Sequence, residues 1–393
     1  MSNWPLGIVS SAGGGQTEGF QLWVWGTNNE GGHGDGTSGT QTNSQKSAPL
    51  QMGEEENWAR LAQTGGRTSY AIDTDGKLYS WGGAAYGQNG RGNVVNASVP
   101  IQVGDLETWG SIAGDVSGYT THAVTTDGKL FGWGQNSDYG NLGNGSHNAP
   151  PRASSPIQIG ALTNWSTEIG HMAKGDGSTC AIKQDGTMWS WGGSNHFGMC
   201  GDGTVINRSS PVQIGSDTNW TYVVPHFFGF TALKSTGALY SWGNNAFGQA
   251  GNGTIGAASV SGSVNSVPTQ IGTDTDWENL GGENRVVGAV KTNGKLYMWG
   301  EGTDGRTGSG AKLHLSLPTQ IGALTTWSEI LVRQNVTIAK KTDGTIWAWG
   351  GTYSRSVGDG TIIARSSPVQ IATDDGWGQI AGYNNNLFML KSL

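Results

Sequence analysis

The stretch LYSWGGAAYGQNGRG, residues 78–92, has relatives along the whole chain, marked by Trp-Gly at Trp25, Trp81, Trp133, Trp191, Trp242, Trp299 and Trp349. The intervals between these tryptophans are 56, 52, 58, 51, 57 and 50 residues. A period of that length belongs to propeller blades rather than to helical solenoids or leucine-rich arcs, so the repeat constrains the architecture before any local propensity is weighed. A Pro-x-Gln-hydrophobic signature keeps the same count, beginning at Pro49, Pro100, Pro156, Pro211, Pro268, Pro318 and Pro368. Nine residues after each proline stands a second tryptophan: Trp58, Trp109, Trp165, Trp220, Trp277, Trp327 and Trp377. Three more, Trp23, Trp189 and Trp347, sit two residues before a Trp-Gly, and only Trp4 lies outside the pattern.

Period and turn chemistry assign four strands to each repeat. Strand one follows the second tryptophan, as in WGSI at 109–112, and strand two is the apolar run that begins at Ala71, Ala123, Ala181, Ala232 or Ala289. An Asp-Gly or Asn-Gly pair follows at Asp75, Asp127, Asp185, Asn293 and Asp343. Such a pair signals a tight hairpin with both central residues at positive φ. The LYSWG element is strand three and the Pro-x-Gln-Ile element strand four, whose proline suits an outer edge. The fold class expected is all-β: a single seven-bladed β-propeller with four antiparallel strands per blade.

The chain enters this pattern in mid-repeat, at QLWVWG (21–26), and ends on the opening half of a repeat, with Trp377, Ile380 and the strand-like LFMLK (387–391). The two ends complement one another, so the last blade is expected to draw on both termini, closing the ring and removing free sheet edges. Residues 1–19 read as an arm, an apolar head (SNWPLGIV) followed by a Gly/Ser-rich connector, and 20–393 as the propeller. Trp4 on that arm is a candidate partner contact.

Composition narrows the function. Charged residues make up 13% of the chain and the net charge of −7 contains no long run of one sign, with the first basic residue at Lys46. Nucleic acid is therefore excluded as an expected partner, since phosphate binding needs concentrated Lys and Arg. Neither a signal peptide nor a stretch of about 20 apolar residues is present, so a soluble chain without a membrane span is expected. The Gly-x-Gly segments, such as GDGT at 201–204, lack the flanking strand and helix of a phosphate loop and read as tight turns. Cys180 and Cys200 fall in one repeat and are most simply two free thiols. No Ser/His/Asp, paired-carboxylate or metal-ligand spacing stands out, so neither catalysis, a metal nor a cofactor is expected.

With Trp-Gly-x-Asn-x-x-Gly-Gln-x-Gly-x-Gly on the page, as in WGNNAFGQAGNGT (242–254), the sequence resembles the regulator of chromosome condensation repeat family from Phe20 to Leu393. The resemblance implies a seven-bladed propeller closed by its termini. It also implies possible roles: nucleotide exchange on a small GTPase with chromatin contact through a basic tail, ultraviolet perception, or inhibition of β-lactamases. The histidine that often precedes the strand-two alanine by three residues in the family is replaced here by Thr68, Thr120, Ser178, Gly229, Val286, Val336 and Asn386, and the photoreceptor's Gly-Trp-Arg-His-Thr motif is missing.

Alternation of strands places the loops between strands one and two on the same face as the long loops between strands three and four. Irregularity is concentrated there, and variable loops on a repeated scaffold carry specificity. Candidate partner-binding residues are Arg67, Tyr119, His171, Lys174, Phe227, Phe228, Arg285, Arg333 and Tyr383, together with Trp4. The function expected is non-catalytic protein binding or assembly, such as a decoration, tail or host-contact protein of a phage virion. The alternatives are an exchange-type regulator of a small GTPase and a protein inhibitor of an enzyme such as a β-lactamase.

Overall fold

The computed structural model describes residues 19–39, 45–63, 67–114, 119–137, 139–147, 150–193, 195–256, 265–351, 356–372, 376–383 and 386–392. Within them, strands β1 to β28 form seven sheets of four. Six sheets are consecutive: blade one spans 58–102, blade two 109–158, blade three 172–213, blade four 220–270, blade five 277–320 and blade six 327–372. The seventh joins the chain ends in the order β2 (Lys46–Gln51), β1 (Gln21–Gly26), β28 (Asn386–Lys391), β27 (Trp377–Tyr383). Strand β1 pairs with β28 without a break, from Gln21 opposite Lys391 to Gly26 opposite Asn386. The ring is thus sealed by hydrogen bonds between the two ends of the polypeptide.

Each Trp-Gly tryptophan is fully buried and reaches into the preceding blade. In six blades its indole N–H donates to a carbonyl there, as Trp81 does to Gly32 (2.9 Å), Trp133 to Gln88 (2.7 Å), Trp242 to Met199 (2.9 Å) and Trp299 to Gln249 (2.9 Å), whereas Trp191 donates to His122 Nε2 (3.3 Å). The first glycine of each Gly-x-Gly covers that indole. A Cβ on Gly201 would stand 2.7 Å from Trp242 Nε1, and one on Gly251 2.9 Å from Trp299 Nε1. The same relation links Gly34 to Trp81, Gly90 to Trp133, Gly143 to Trp191, Gly308 to Trp349 and, across the seam, Gly358 to Trp25. The two sequence signatures are therefore the two halves of one contact between blades. The core follows from it: Trp81 packs with Leu22, Val24, Phe388 and Leu390 of the closing blade, and Trp25 with Val336, Ile338 and Ile346 of blade six.

A second device stands on the strand-one tryptophans. In five blades a lysine ending strand two lies over them and the strand-three aromatic: Lys183 is 3.5 Å from the Trp189 ring, Lys341 3.8 Å from Trp347, and Lys234, Lys291 and Lys391 occupy the same place. Each such cation–π contact contributes about 0.5–2 kcal/mol, depending on how dry it is.

Three sequence expectations change. In the Asp-Gly hairpins only the glycine has positive φ, Gly76 at 80° and Gly186 at 74°. The Gly76 amide donates to the Asp73 carbonyl and the Asp73 amide to that of Lys77, a three-residue loop, so the aspartate keeps an ordinary conformation. Strand two begins three residues before the alanines, at Thr68, Thr120 and Ser178, because its upstream residues are packed on both faces. In blade three, 16 residues separate Trp165 from Ala181 where 12 separate Trp220 from Ala232. Strand one is displaced accordingly to Met172–Lys174, and Trp165 keeps a single bridge to Lys183.

The contact between blades predicts a graded glycine series. Gly201→Ala and Gly251→Ala each lower the unfolding free energy in denaturant titrations by about 2–4 kcal/mol, since both φ and the close indole resist a Cβ. Gly215→Ala, at φ 60° with nothing within 4 Å, costs about 1 kcal/mol. Equal losses at all three positions would contradict the contact.

Candidate functional site

The loops on the face reached by the ends of strands one and three bring a set of rings together. Phe227 and Phe228 lie between strands one and two of blade four, with ring centroids 4.4 Å apart. Phe228 stacks 4.8 Å from Phe197 of blade three, Phe227 meets Phe247 edge-on at 6.2 Å, and Phe247 meets His314 of blade five at 5.9 Å. The guanidinium of Arg285 lies 4.0 Å from the Phe247 ring and 4.9 Å from Phe227, and pairs with Glu301 at 3.3 Å. The cluster is half-buried rather than part of the core.

Its backbone is held in an uncommon shape. Phe228 has φ 51° and Asn284, in the matching loop of blade five and one position earlier, φ 54°. A bulky side chain in the left-handed region costs on the order of 1–3 kcal/mol and persists only where its surroundings impose it. Here they do: the Phe228 amide donates to Asp176 Oδ2 of blade three (3.2 Å), and the Phe227 amide to the Asn284 carbonyl. The result is a rigid aromatic ledge across blades three to five.

The other candidates divide. Tyr119 stacks on Tyr86 of blade one with centroids 4.1 Å apart, and Arg67, at φ 60°, is exposed and pairs with Glu30 at 2.7 Å, both on this face. Arg333 lies at the inner rim, its Nη1 3.2 Å from Glu283 Oε2. Lys174 ends the displaced strand of blade three and is 2% exposed, its Nζ donating to Thr179 Oγ1 (3.3 Å). His171 precedes that strand, half-buried, where desolvation lowers its pKa. The four extra residues of blade three, relative to blade four, draw both inward, away from the loop tips. Tyr383 closes β27, its backbone opposite Asn386. Trp4 lies outside the described residues. Phe197, Phe247 and Tyr86 were not singled out from sequence, although an aromatic before glycine recurs in four consecutive Trp-Gly segments, at Tyr86, Tyr139, Phe197 and Phe247.

The first strands of all seven blades surround an axial cavity of about 210 Å³. The side chains two residues beyond the strand-one tryptophans give it a polar ring that includes Arg60, Ser111, Tyr222, Glu329 and Gln379, above a waist of Ala62, Ala113, Gly281 and Ala381. Gln379 clamps blade one to blade seven, accepting from the Leu61 amide (2.8 Å) and donating to its carbonyl (3.0 Å). Glu283 is 3% exposed at the mouth of this cavity and also accepts from the Gln334 amide at 3.0 Å. Burial pushes its pKa up to about 7, against the opposing pull of Arg333 and the amide. Among the described residues no three His, Cys, Asp or Glu side chains are grouped to hold a metal, no helix is long and apolar enough to cross a membrane, and Cys180 and Cys200 are free and buried.

The fold is a seven-bladed propeller with an aromatic cluster on one face. The model of the Regulator of chromosome condensation (RCC1) repeat matches residues 75–114, 127–182 and 236–289. The chain is 28% identical over 296 residues to the RCC1 domain-containing protein RUG3, mitochondrial, of Arabidopsis thaliana, covering 73% of this chain and 63% of RUG3. It is 27% identical over 257 residues to the human E3 ubiquitin-protein ligase HERC2, spanning 5% of that protein, and 27% identical to the Arabidopsis ultraviolet-B receptor UVR8, spanning 52% of it. The chain thus spans less than two thirds of the length of these relatives. Among solved structures, Prp20p of Saccharomyces cerevisiae, described with its binding to Gsp1p and histones, superposes with a TM-score of 0.81 at 16% identity, covering 96% of this chain and 92% of that one. Human WBSCR16 gives 0.77 at 17% identity, covering 95% and 99%.

Glu283 predicts a pH dependence of stability. Its raised pKa means the folded protein holds a proton that the unfolded chain releases near pH 4.5. Its contribution is complete below that pH and is lost as the pH rises to about 7. Between these limits wild type loses up to on the order of 1 kcal/mol per pH unit relative to Glu283→Gln in denaturant titrations. Parallel stability curves for the two proteins would contradict the assignment.

Proposed function

We propose that this chain is a non-catalytic protein-binding propeller whose residues 20–393 act as one unit and engage a protein partner through the face carrying the aromatic ledge. The observation that carries the reading is Phe228, a large apolar side chain held half-exposed in a left-handed conformation by a hydrogen bond from a neighbouring blade. Core packing gives no reason for that arrangement, whereas aromatic side chains with an adjacent arginine are the residue types that dominate binding interfaces. Arg285 belongs to the ledge, Arg67, Tyr119 and Arg333 add contacts elsewhere on the same face, and Trp4, in segment 1–19, supplies a second contact. Lys174 and His171 support the loops from within. The low charge and glycine-rich loops suit a component of a larger assembly, such as a phage particle.

A second reading follows from Prp20p, described with its binding to Gsp1p. In that reading the same face regulates a small GTPase by promoting nucleotide release.

Phe227→Ala/Phe228→Ala is the test of the first reading. In crosslinking and co-purification from the natural source, wild type retains a stoichiometric protein partner and the double variant loses it by at least about tenfold while keeping its unfolding midpoint. Equal retention by both proteins would refute the role of the ledge. Accelerated nucleotide release from a small GTPase, lost in the same variant, would move the assignment to the second reading.

A further inference from the structure

The two faces of the ring differ in charge. In the half of the ring toward the ledge, the described residues include eleven basic and eight acidic side chains, a balance of about +3; the half that carries the Asp-Gly turns and the connections between blades has ten basic and sixteen acidic, about −6. The acidic half is built from carboxylates that outnumber the lysines they meet: Asp75 and Glu107 flank Lys77 (3.3 and 3.5 Å), and Asp274 and Asp276 flank Lys291 (2.7 and 2.9 Å).

Both faces also expose aliphatic side chains at the period of the blades. On the ledge face Val95, Ile206, Leu313 and Ile363 each stand two residues before strand four of blades one, three, five and six, and are 57–67% exposed. Their loops are fixed from behind: Asn195 Nδ2 donates to the Ile206 carbonyl (2.7 Å) and Arg91 Nη2 to that of Val95 (2.7 Å). On the acidic face Leu106, Leu162 and Leu324 each stand three residues before a strand-one tryptophan, 42–48% exposed. A compact partner would touch two or three blades and leave the other positions unexplained. A partner with the same seven-fold period and the opposite charge meets all of them.

We infer that the partner of the ledge face is a second copy of this chain, docked head to tail with its acidic face on the ledge face. The inference rests on the ledge face being the docking face. Such a contact joins unlike surfaces, so it does not close on itself and propagates into a coaxial stack. Pairing two ledge faces, or two acidic faces, would oppose like charge to like charge.

Two variants cap the two ends separately. Val95→Glu/Ile206→Glu/Ile363→Glu blocks the ledge face, and Leu106→Lys/Leu162→Lys/Leu324→Lys the acidic face; all six positions are exposed, and circular dichroism checks the fold. In sedimentation equilibrium at low salt the wild-type mass rises with concentration above 41.0 kDa without stopping at a dimer. It falls back when salt is raised to about 0.5 M. Each capped variant associates at least about tenfold more weakly, and their equimolar mixture forms a 1:1 dimer through the one intact face of each. A wild-type protein that stays at 41.0 kDa up to high concentration, or stops at a dimer, overturns the stack. So does a mixture of capped variants that stays monomeric. If the ring is monomeric but Phe227→Ala/Phe228→Ala still loses a foreign partner, the stack fails and the reading of the ledge face stands.

Discussion

The structure depends on one contact repeated around a circle: an indole of each blade slides beneath a glycine of the blade before it and donates a hydrogen bond to that blade, to backbone in six cases and to His122 in the case of Trp191. An indole contributes a large apolar area, of which about 25 cal/mol is gained for each Å² removed from water. That gain requires a close approach of backbone, which only glycine permits. The pairing of Gly358 with Trp25 has the same geometry as that of Gly201 with Trp242, although it joins the end of the chain to its beginning. The seam therefore differs in connectivity and not in chemistry.

Closure has a consequence for where function can reside. Strands one to three of every blade are largely buried between neighbouring blades, so substitutions there act on stability, whereas strand four leaves residues such as Val99, Val267 and Leu317 exposed. Between strands one and two the backbone departs from the repeat: Arg67 and Phe228, each just before strand two of its blade, and Asn284, just after strand one of blade five, adopt positive φ. A ledge that draws Phe197, Phe228 and Phe247 from two blades, with Asp176 and Arg285 fixing it, requires blades three to five to be packed together first.

The architecture was legible because its signals are periodic. Tryptophans in phase, prolines at the outer strand and complementary half-repeats at the two ends led to the blade number and the closure. The finer geometry was less accessible. The Asp-Gly pair suits more than one hairpin, and the hydrogen bond from Gly76 back to Asp73 decides between them. The displaced strand of blade three depends on how four extra residues are absorbed, and this turned Lys174 and His171 inward. The ledge was half legible: Phe227, Phe228 and Arg285 stood out as irregular loop residues, while Phe197 and Phe247 belong to a recurrent aromatic-glycine pair whose positions on the face depend on loop conformation. The division of charge between the faces needed the strand order before it could be seen.

The central claim, that contacts between blades and the shared seventh blade make one closed cooperative ring, is tested most directly by native-state hydrogen exchange at the seam. The amides of Leu22, Val24, Phe388 and Leu390 should exchange only through global unfolding, with the same free energy as those of Phe230 and Ala232 in blade four. Exchange of the seam amides at much lower free energy, with blade four still protected, would show an open array and contradict the account.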